Sequence, residues 1–479
     1  MSEQYAKIPT LKTSEQFAAY LAEREIDIPF IKELPPPDSL TLARKFEYRG
    51  KSIGNRWAIL PMEGWDCSLD GSPSELTRRR WIQFGLSGAK LIFGCEAAAV
   101  MESGRSNTRQ LTVSDATIGE IARLRNDMVS AHAEKYGTAD DLYVGLQLTH
   151  SGRFSHPHDD MKLESVIAYR NPLLDRKFGN ENTPIATDEE INRMIEHFVY
   201  AAKLAEKAGF EFVDIKQAHG YFGHELLSAY DRPGKYGGSM ENRSRFFREI
   251  AAGIKAEAPS LDISLRFSIF DIMPFAKASD GVGVPMSEDE YPYAFGADNT
   301  GLNPDLSEPF EFVEILKSCG VGMICATLGS PYYNPHLQRP ASKPVADGYE
   351  MPHDPLRSVL MHIWSVRELK RRFPDLAIIG SGYTYLQDWL PNVAEATVGG
   401  GMTDFVGIGR MVLSYPEICD DILSGRNINR KRICRTIGDC TNAPRNGLVS
   451  GCYPLDPFYK NRPEAVILKE IKAKKRSTG

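Results

Sequence analysis

Eight short apolar segments, rich in valine, isoleucine and phenylalanine, recur along the chain and alternate with helical patterns. Near-continuous apolar runs of this length are typical of strands buried on both faces, and their alternation with helices predicts a parallel sheet. Eight such units over about 370 residues predict an α/β fold, a (β/α)8 TIM barrel with N- and C-terminal extensions and long βα loops. A doubly wound open sheet is the alternative. The segments are Trp57–Glu63, Lys90–Ala97, Tyr143–His150, Glu211–Lys216, Ile263–Ser268, Val321–Thr327, Ala377–Gly382 and Asp404–Gly409.

Three stretches between these segments have the periodicity of amphipathic helices. The clearest is Thr187–Gly209, where Thr187 and Glu190 have the spacing of a capping box. Glu241–Ala256 and Pro355–Phe373 repeat apolar residues in the same way, with charges on the opposite positions. Helices are therefore predicted over all three.

Stretches that do not fit the repeat set the predicted domain boundaries. Residues 1–45 form an N-terminal extension, residues 46–425 the barrel and residues 426–479 a C-terminal extension. Two long loops, residues 276–310 and 329–356, follow predicted strand ends on the face where barrels carry their active sites. We expect both to form lids or substrate walls, with structural filler as the alternative.

The charge and composition exclude several classes of protein. The chain has 57 basic and 63 acidic residues, a net charge of -6, which argues against nucleic-acid binding. No apolar run approaches the roughly 18 residues of a membrane span, and the N-terminus has no apolar signal core. Eight cysteines in 479 residues make no disulfide framework. A cytoplasmic protein without nucleic-acid or membrane partners is predicted.

Glycines at the ends of the last two predicted strands indicate a phosphate site. Gly382 follows the seventh strand and Gly409 the eighth, the positions where barrels commonly bind a phosphate. A residue without a Cβ lets backbone N–H groups approach phosphate oxygens, and Arg410 can fork onto the same group. The alternative is that the glycines serve as plain turns.

Polar residues at other strand ends suit a flavin ring and a substrate. Gln147 offers donors and an acceptor to the edge of the ring, and Arg266 offers a fixed charge that stabilises a reduced flavin. Lys216 and His219 can both donate to one substrate oxygen, and Tyr221 can deliver a proton to carbon. The alternatives are a structural ion pair for Arg266 and a core phenol for Tyr221.

These strand ends resemble the Old Yellow Enzyme family of FMN-dependent ene-reductases over residues 40–425. The strongest match is Asp214–Ile250, which includes the stretches Tyr236–Ser239, Glu241–Arg243 and Arg245-Phe246. Supporting matches are Asn55-Arg56, Pro61-Met62, Asp70-Gly71, Glu96-Ala97, Gln147-Leu148, His150, Gly152-Arg153, Asp404–Val406 and Gly409-Arg410.

The resemblance implies a role for each site residue. The cofactor-binding residues it implies are Pro61, Met62, Ala97 and Gln147 at the flavin ring, Arg266 at its pyrimidine edge, and Gly382, Gly409 and Arg410 at the FMN phosphate. The catalytic residues it implies are Lys216 and His219 at the substrate oxygen and Tyr221 as proton donor. It further implies that NADH or NADPH reduces the FMN, which then reduces an activated C=C bond of a small molecule. A homo-oligomer is compatible with the resemblance.

Two residues depart from the family's pattern near the flavin. Lys216 stands where the family usually has histidine, and Glu63 where it has threonine or cysteine. A carboxylate that pointed inward would make the reduced flavin harder to form, so Glu63 is expected to point away. The departures leave two alternatives open: flavin-dependent demethylation or dehydrogenation of an amine, and a flavin-binding protein without turnover.

Three cysteines near the C-terminus resemble the iron–sulfur segment of relatives of the 2,4-dienoyl-CoA reductase type. Cys434, Cys440 and Cys452 are separated by six and twelve residues and lack the tight double step of a cluster motif. No metal site is therefore predicted, and the segment is interpreted as a relic packed on the barrel.

Overall fold

The computed structural model of the chain describes residues 5–343, 345 and 348–477. Eight parallel strand positions close into a barrel, each strand pairing with the next and the last with the first. The second position is shared by two short strands that both pair with β6. The barrel strands are β3 (Trp57–Ile59), β4 (Leu91–Ile92) with β5 (Ala97–Ala99), β6 (Tyr143–Thr149), β7 (Phe212–Ile215), β8 (Asp262–Ser268), β11 (Met323–Thr327), β12 (Ala377–Gly380) and β13 (Phe405–Ile408).

The closed barrel confirms the predicted fold class, and each apolar segment contains one of its strand positions. The strands are buried almost throughout, as expected for a sheet covered on both faces. Two antiparallel hairpins lie outside the barrel. They are β1 (Phe46–Tyr48) with β2 (Lys51–Ile53), and β9 (Phe275–Lys277) with β10 (Gly283–Pro285).

Helices connect the strands and form the outer ring. The α-helices are α1 (Ser14–Glu23), α2 (Glu75–Gly85), α3 (Ile118–Tyr136), α4 (Pro172–Phe178), α5 (Asp188–Lys207), α6 (Phe222–Leu227), α7 (Met240–Arg243), α8 (Arg245–Glu257), α9 (Ser307–Ser318), α10 (Pro335–Gln338), α11 (Pro355–Arg372), α12 (Leu390–Gly399), α13 (Arg410–Ser414), α14 (Ile418–Leu423), α15 (Asp439–Asn442), α16 (Pro457–Lys460) and α17 (Pro463–Ser477).

The three predicted helices are present, one of them in two pieces. Helix α5 begins after Thr187, whose side chain and that of Glu190 form the predicted capping box. Glu241–Ala256 is divided into α7 and α8 at Ser244, and the Ser244 hydroxyl donates to the Glu241 carbonyl. Within the described residues, no helix is long and apolar enough to cross a membrane.

The chain after α14 returns across the carboxyl ends of the barrel strands. Its short helices pack through a small apolar cluster that includes Tyr453, Tyr459 and Leu468, and Lys472 of α17 donates to Asp439 of α15. The Ser450 N–H donates to the Gly64 carbonyl in the loop after β3. This C-terminal segment therefore covers the face where the site residues lie.

Candidate functional site

One cavity opens at the carboxyl ends of the barrel strands, enclosing ≈ 1350 Å³ with its open mouth included. All eleven residues predicted to form the site line this cavity. They are Pro61, Met62, Ala97, Gln147, Lys216, His219, Tyr221, Arg266, Gly382, Gly409 and Arg410.

The two glycines at the end of β12 and β13 differ in what they do. Gly382 has a φ of +89°, and a Cβ there would lie 2.7 Å from the His362 ring, so the fold itself requires glycine. A Cβ on Gly409 would meet nothing closer than the Met62 sulfur at 3.9 Å. The space in front of Gly409 is therefore open to a ligand.

Arg410 follows Gly409 and carries an unused donor. One guanidinium nitrogen, Nη2, donates to the Pro340 carbonyl at 3.1 Å. The other, Nη1, is buried and has no hydrogen-bond partner among the described residues. A buried N–H donor without an acceptor is costly, and Arg410 is a cation, so an anionic ligand suits this end of the cavity.

Asp214, on β7, organises the middle of the cavity. One carboxylate oxygen accepts from the Gln147 amide at 2.5 Å and the other from the backbone N–H of Arg266 at 2.5 Å. Burial raises the pKa of Asp214 to about 6. The Arg266 Nε has no partner among the described residues, so the geometry does not support the structural ion pair considered for it.

Glu63 faces the cavity, so the expectation that it points away is wrong. One oxygen accepts from the Tyr221 hydroxyl at 2.8 Å and from the Lys216 ammonium at 3.4 Å. The other oxygen accepts from the Ser106 hydroxyl at 2.7 Å. Lys216 attracts the partly buried carboxylate inward because the two side chains carry opposite charges.

Lys216 lies deep in this network. Its ammonium is 3.5 Å from the centre of the Tyr221 ring, an additional favourable contact for the charge. Burial lowers the pKa of Lys216 to about 8, although Glu63 acts in the opposite direction. The Tyr221 hydroxyl also lies 3.0 Å from that of Tyr332, and burial with Glu63 holds the Tyr221 pKa well above its usual range.

His219 is fixed by its backbone in the left-handed region, with a φ of +68°. The Ser268 hydroxyl accepts its N–H at 3.1 Å, and the Ser330 hydroxyl donates to its carbonyl at 2.8 Å. Burial, Arg266 and Lys216 lower the pKa of His219 well below its usual range, so the ring is neutral at pH 7. The ring Nε2 lies 3.1 Å from the Gln338 amide nitrogen.

The sequence did not predict several of the residues that line the cavity. They come from the loop after β11 and from the C-terminal segment, and they include Tyr332, Gln338, Arg339, Cys440, Thr441 and Arg445. The segment that contains Cys434, Cys440 and Cys452 was interpreted as a relic packed on the barrel; it also forms part of the cavity wall, a role that the sequence did not predict. Its placement depends on contacts far apart in sequence, such as that between Arg339 and Thr441. The one feature of the sequence that pointed to some of these residues was the position of residues 329–356 after a predicted strand end.

The two long loops, both expected to form lids or substrate walls, differ in whether they line the cavity. Residues 329–356 supply cavity-lining side chains, as expected for a substrate wall. Residues 276–310, all of which are described, supply none. They form the β9–β10 hairpin and pack through Tyr291 and Ala294 against Met273, so that expectation is wrong.

The three C-terminal cysteines lie beside the cavity. Cys434, Cys440 and Cys452 line one small pocket together. Burial raises the pKa of Cys434, and raises that of Cys452 further. Across the described part of the chain, no group of three histidine, cysteine or acidic side chains has a geometry that could hold a metal ion.

The sequence is similar to several curated NADPH dehydrogenases. The model of the NADH:flavin oxidoreductase / NADH oxidase family matches residues 52–286. An NADPH dehydrogenase of Geobacillus sp. (strain WCH70) is 30% identical over 253 residues, covering 52% of this chain and 67% of the relative. The chain belongs to the NADH:flavin oxidoreductase / NADH oxidase family. An NADPH dehydrogenase of Bacillus subtilis (strain 168) is 27% identical over 370 residues, 76% of this chain and 89% of that protein.

Solved structures share the barrel. A 2-naphthoyl-CoA reductase complex superposes with a TM-score of 0.65 at 17% identity, covering 89% of this chain and 58% of that one. The Old Yellow Enzyme homologue of Zymomonas mobilis gives a TM-score of 0.55 at 17% identity, covering 81% and 94%. Family membership confirms the Old Yellow Enzyme resemblance and the prediction of an NAD(P)H-dependent flavin oxidoreductase.

The cavity of this family member fits FMN. The open space at Gly409 and the unpartnered Arg410 nitrogen suit the phosphate, and Gln147 and Arg266 suit the ring. The fit rests on the donor set of the chain itself.

Proposed function

We propose that this enzyme uses FMN and NAD(P)H to reduce an activated C=C bond of a small molecule. The observation that supports the proposal is that one cavity contains two groups of residues. Gly409 and Arg410 at one end suit an anion, and Tyr221 and His219 at the other end are proton-bearing groups. A cofactor spanning the two ends would present its ring beside Tyr221.

Each part of the cavity has a role in this proposal. Bound FMN would supply the hydride. Gly382, Gly409 and Arg410 hold its phosphate, and Pro61, Met62, Ala97, Gln147 and Arg266 hold its ring. Lys216 and His219 lie beside the space proposed for the activating oxygen of the substrate. Tyr221 delivers the proton from its hydroxyl to the substrate carbon, and Tyr332 hydrogen-bonds to the same hydroxyl.

Anaerobic stopped-flow absorbance on the FMN-loaded enzyme tests the proposal. NADH or NADPH should bleach the flavin, and a small panel of enones, enals and nitroalkenes should restore its absorbance with formation of the saturated product. A flavin that no alkene reoxidises, or a protein that takes up no FMN, would contradict the proposal.

One observation favours a second function, the dehydrogenation of an amine or related substrate. The Tyr221 hydroxyl already donates to the Glu63 carboxylate at 2.8 Å. In this direction the substrate carbon would give its hydride to bound FMN, the substrate N–H proton would pass to the Tyr221 oxygen, and the Tyr221 proton would move to Glu63. N-methyl amines should then bleach the flavin anaerobically without NAD(P)H, and Glu63→Gln should slow that step by about 10²-fold or more. A flavin that stays oxidised with every amine would exclude this function.

A further inference from the structure

Lys216 stands at the position where the family usually has a histidine at the substrate oxygen. Its ammonium already interacts with other side chains of the protein. Its ammonium is 3.4 Å from Glu63 and sits over the Tyr221 ring, and its side chain is only 5% exposed. Turning it towards a substrate would leave the partly buried Glu63 carboxylate without its cation. Such separation of a buried pair is expensive, so Lys216 is a poor donor to a substrate oxygen.

Gln338, at the end of α10, is the next donor that faces the same space. Its amide nitrogen is 3.1 Å from the Nε2 of His219, and this is the only hydrogen bond that the amide makes among the described residues. An amide nitrogen carries two N–H groups and can only donate. One N–H is therefore used on His219, and the second is available to the cavity, which Gln338 lines.

The surroundings hold this donor in place. Asn334 anchors α10 by donating to the Asp271 side chain at 2.5 Å and to the Ile272 carbonyl at 3.0 Å. The ring of His362 contacts the Leu337 carbonyl at 3.0 Å. The His219 backbone is held by Ser268 and Ser330 and its ring is neutral, so in the tautomer that carries the proton on Nδ1 its Nε2 accepts from the Gln338 amide.

We propose that Gln338, oriented by His219, donates the hydrogen bond to the activating oxygen of the substrate in place of Lys216. This inference rests on the proposed function and deepens it. An amide is an uncharged donor, and the nearby Lys216 charge is balanced by Glu63. The site therefore selects alkenes activated by a neutral carbonyl or nitro oxygen. His219 acts as a positioning residue in this arrangement.

The test measures the Kd of 4-hydroxybenzaldehyde for the FMN-loaded enzyme from the change in flavin absorbance. Gln338→Met and Lys216→Met introduce the same side chain at the two competing positions. Gln338→Met should raise Kd about fivefold to tenfold, the value of one neutral hydrogen bond. Lys216→Met should change Kd less than about twofold, and Gln83→Ala on α2, outside the cavity, should leave it unchanged.

A double-mutant cycle separates the roles of Gln338 and His219. If His219 acts through Gln338, His219→Ala should raise Kd in the parent enzyme but have no further effect in the Gln338→Met background. Additive effects, or a larger effect of Lys216→Met than of Gln338→Met, would overturn the inference. If no variant at the three positions changes Kd, the oxygen site of the proposed function fails as well. Retained flavin absorbance shows that each variant is folded and loaded.

Discussion

The two ends of the cavity are built in opposite ways. At the end of β12 and β13, Gly409 opens onto free space and the Arg410 Nη1 is buried without a partner among the described residues. At the end of β3 and β7, Glu63, Lys216 and Tyr221 are bonded to one another. The first end has open space and a buried donor that a ligand can use, whereas the polar groups at the second end already bond to one another. Under the proposed function, affinity for the cofactor and choice of chemistry are set by these two separate groups of residues.

The largest expected effect on cofactor binding is at the end of the cavity that holds Gly409 and Arg410. Arg410→Met removes a charge and up to two charge-assisted hydrogen bonds to the phosphate, each worth about 1.5–3 kcal/mol. We expect FMN to bind about 100-fold more weakly, or worse, by fluorescence titration of the apoprotein. The thermal midpoint of the apoprotein should fall only slightly, because the variant loses the hydrogen bond from Arg410 to the Pro340 carbonyl. Unchanged FMN affinity would show that the phosphate lies elsewhere.

Gly409→Ala is a gentler test of the same end. The added methyl group meets no protein atom within 3.9 Å and enters only the space assigned to the phosphate. Apoprotein stability should be preserved, while FMN affinity should fall about tenfold or more. Gly238→Ala serves as a control, since nothing lies within 4 Å there but its φ is +84°. That control should lose stability through backbone strain and keep its FMN site.

A pH profile tests the end of the cavity where Glu63, Lys216 and Tyr221 are bonded to one another. Besides Glu63 and Tyr221, Lys216 is influenced by Arg266 and Asp214, and its pKa is lowered to about 8. Below pH 8 the ammonium is charged and balances Glu63, and above pH 8 it is neutral and leaves the carboxylate unbalanced. We expect kcat/KM for alkene reduction to decline with an apparent pKa of about 8. Lys216→Met should abolish that limb, and a limb that persists in the variant would assign it to another group.

Glu63→Gln tests whether the decline in kcat/KM at high pH depends on the ion pair between Glu63 and Lys216. Removing the anion beside Lys216 disfavours the ammonium, so the pKa of Lys216 falls further and the limb moves to lower pH. The shift is the smallest effect predicted here and is read from the same kcat/KM profile. A limb that moved to higher pH would contradict the ion pair.

Much of this site was predictable because its residues follow strand ends. Gln147, Lys216 and Gly409 each lie within two residues of the end of a barrel strand or inside it, so the apolar periodicity places them at one edge. Gln338 and Arg445 belong to segments without periodicity, and their positions depend on long-range packing. The inward orientation of Glu63 depends on its partner Lys216, which is 153 residues away in sequence.

The most direct measurement compares the two half-reactions of Tyr221→Phe by stopped flow. The variant should keep parental rates of flavin reduction by NADPH, because Tyr221 gives no proton in that step. Reoxidation by an alkene should slow by about 10²–10⁴-fold, the usual contribution of a positioned general acid. Tyr200→Phe, which alters an exposed tyrosine bonded to Asp115, should change neither rate. Equal slowing of both half-reactions, or no slowing of reoxidation, would contradict Tyr221 as the proton donor.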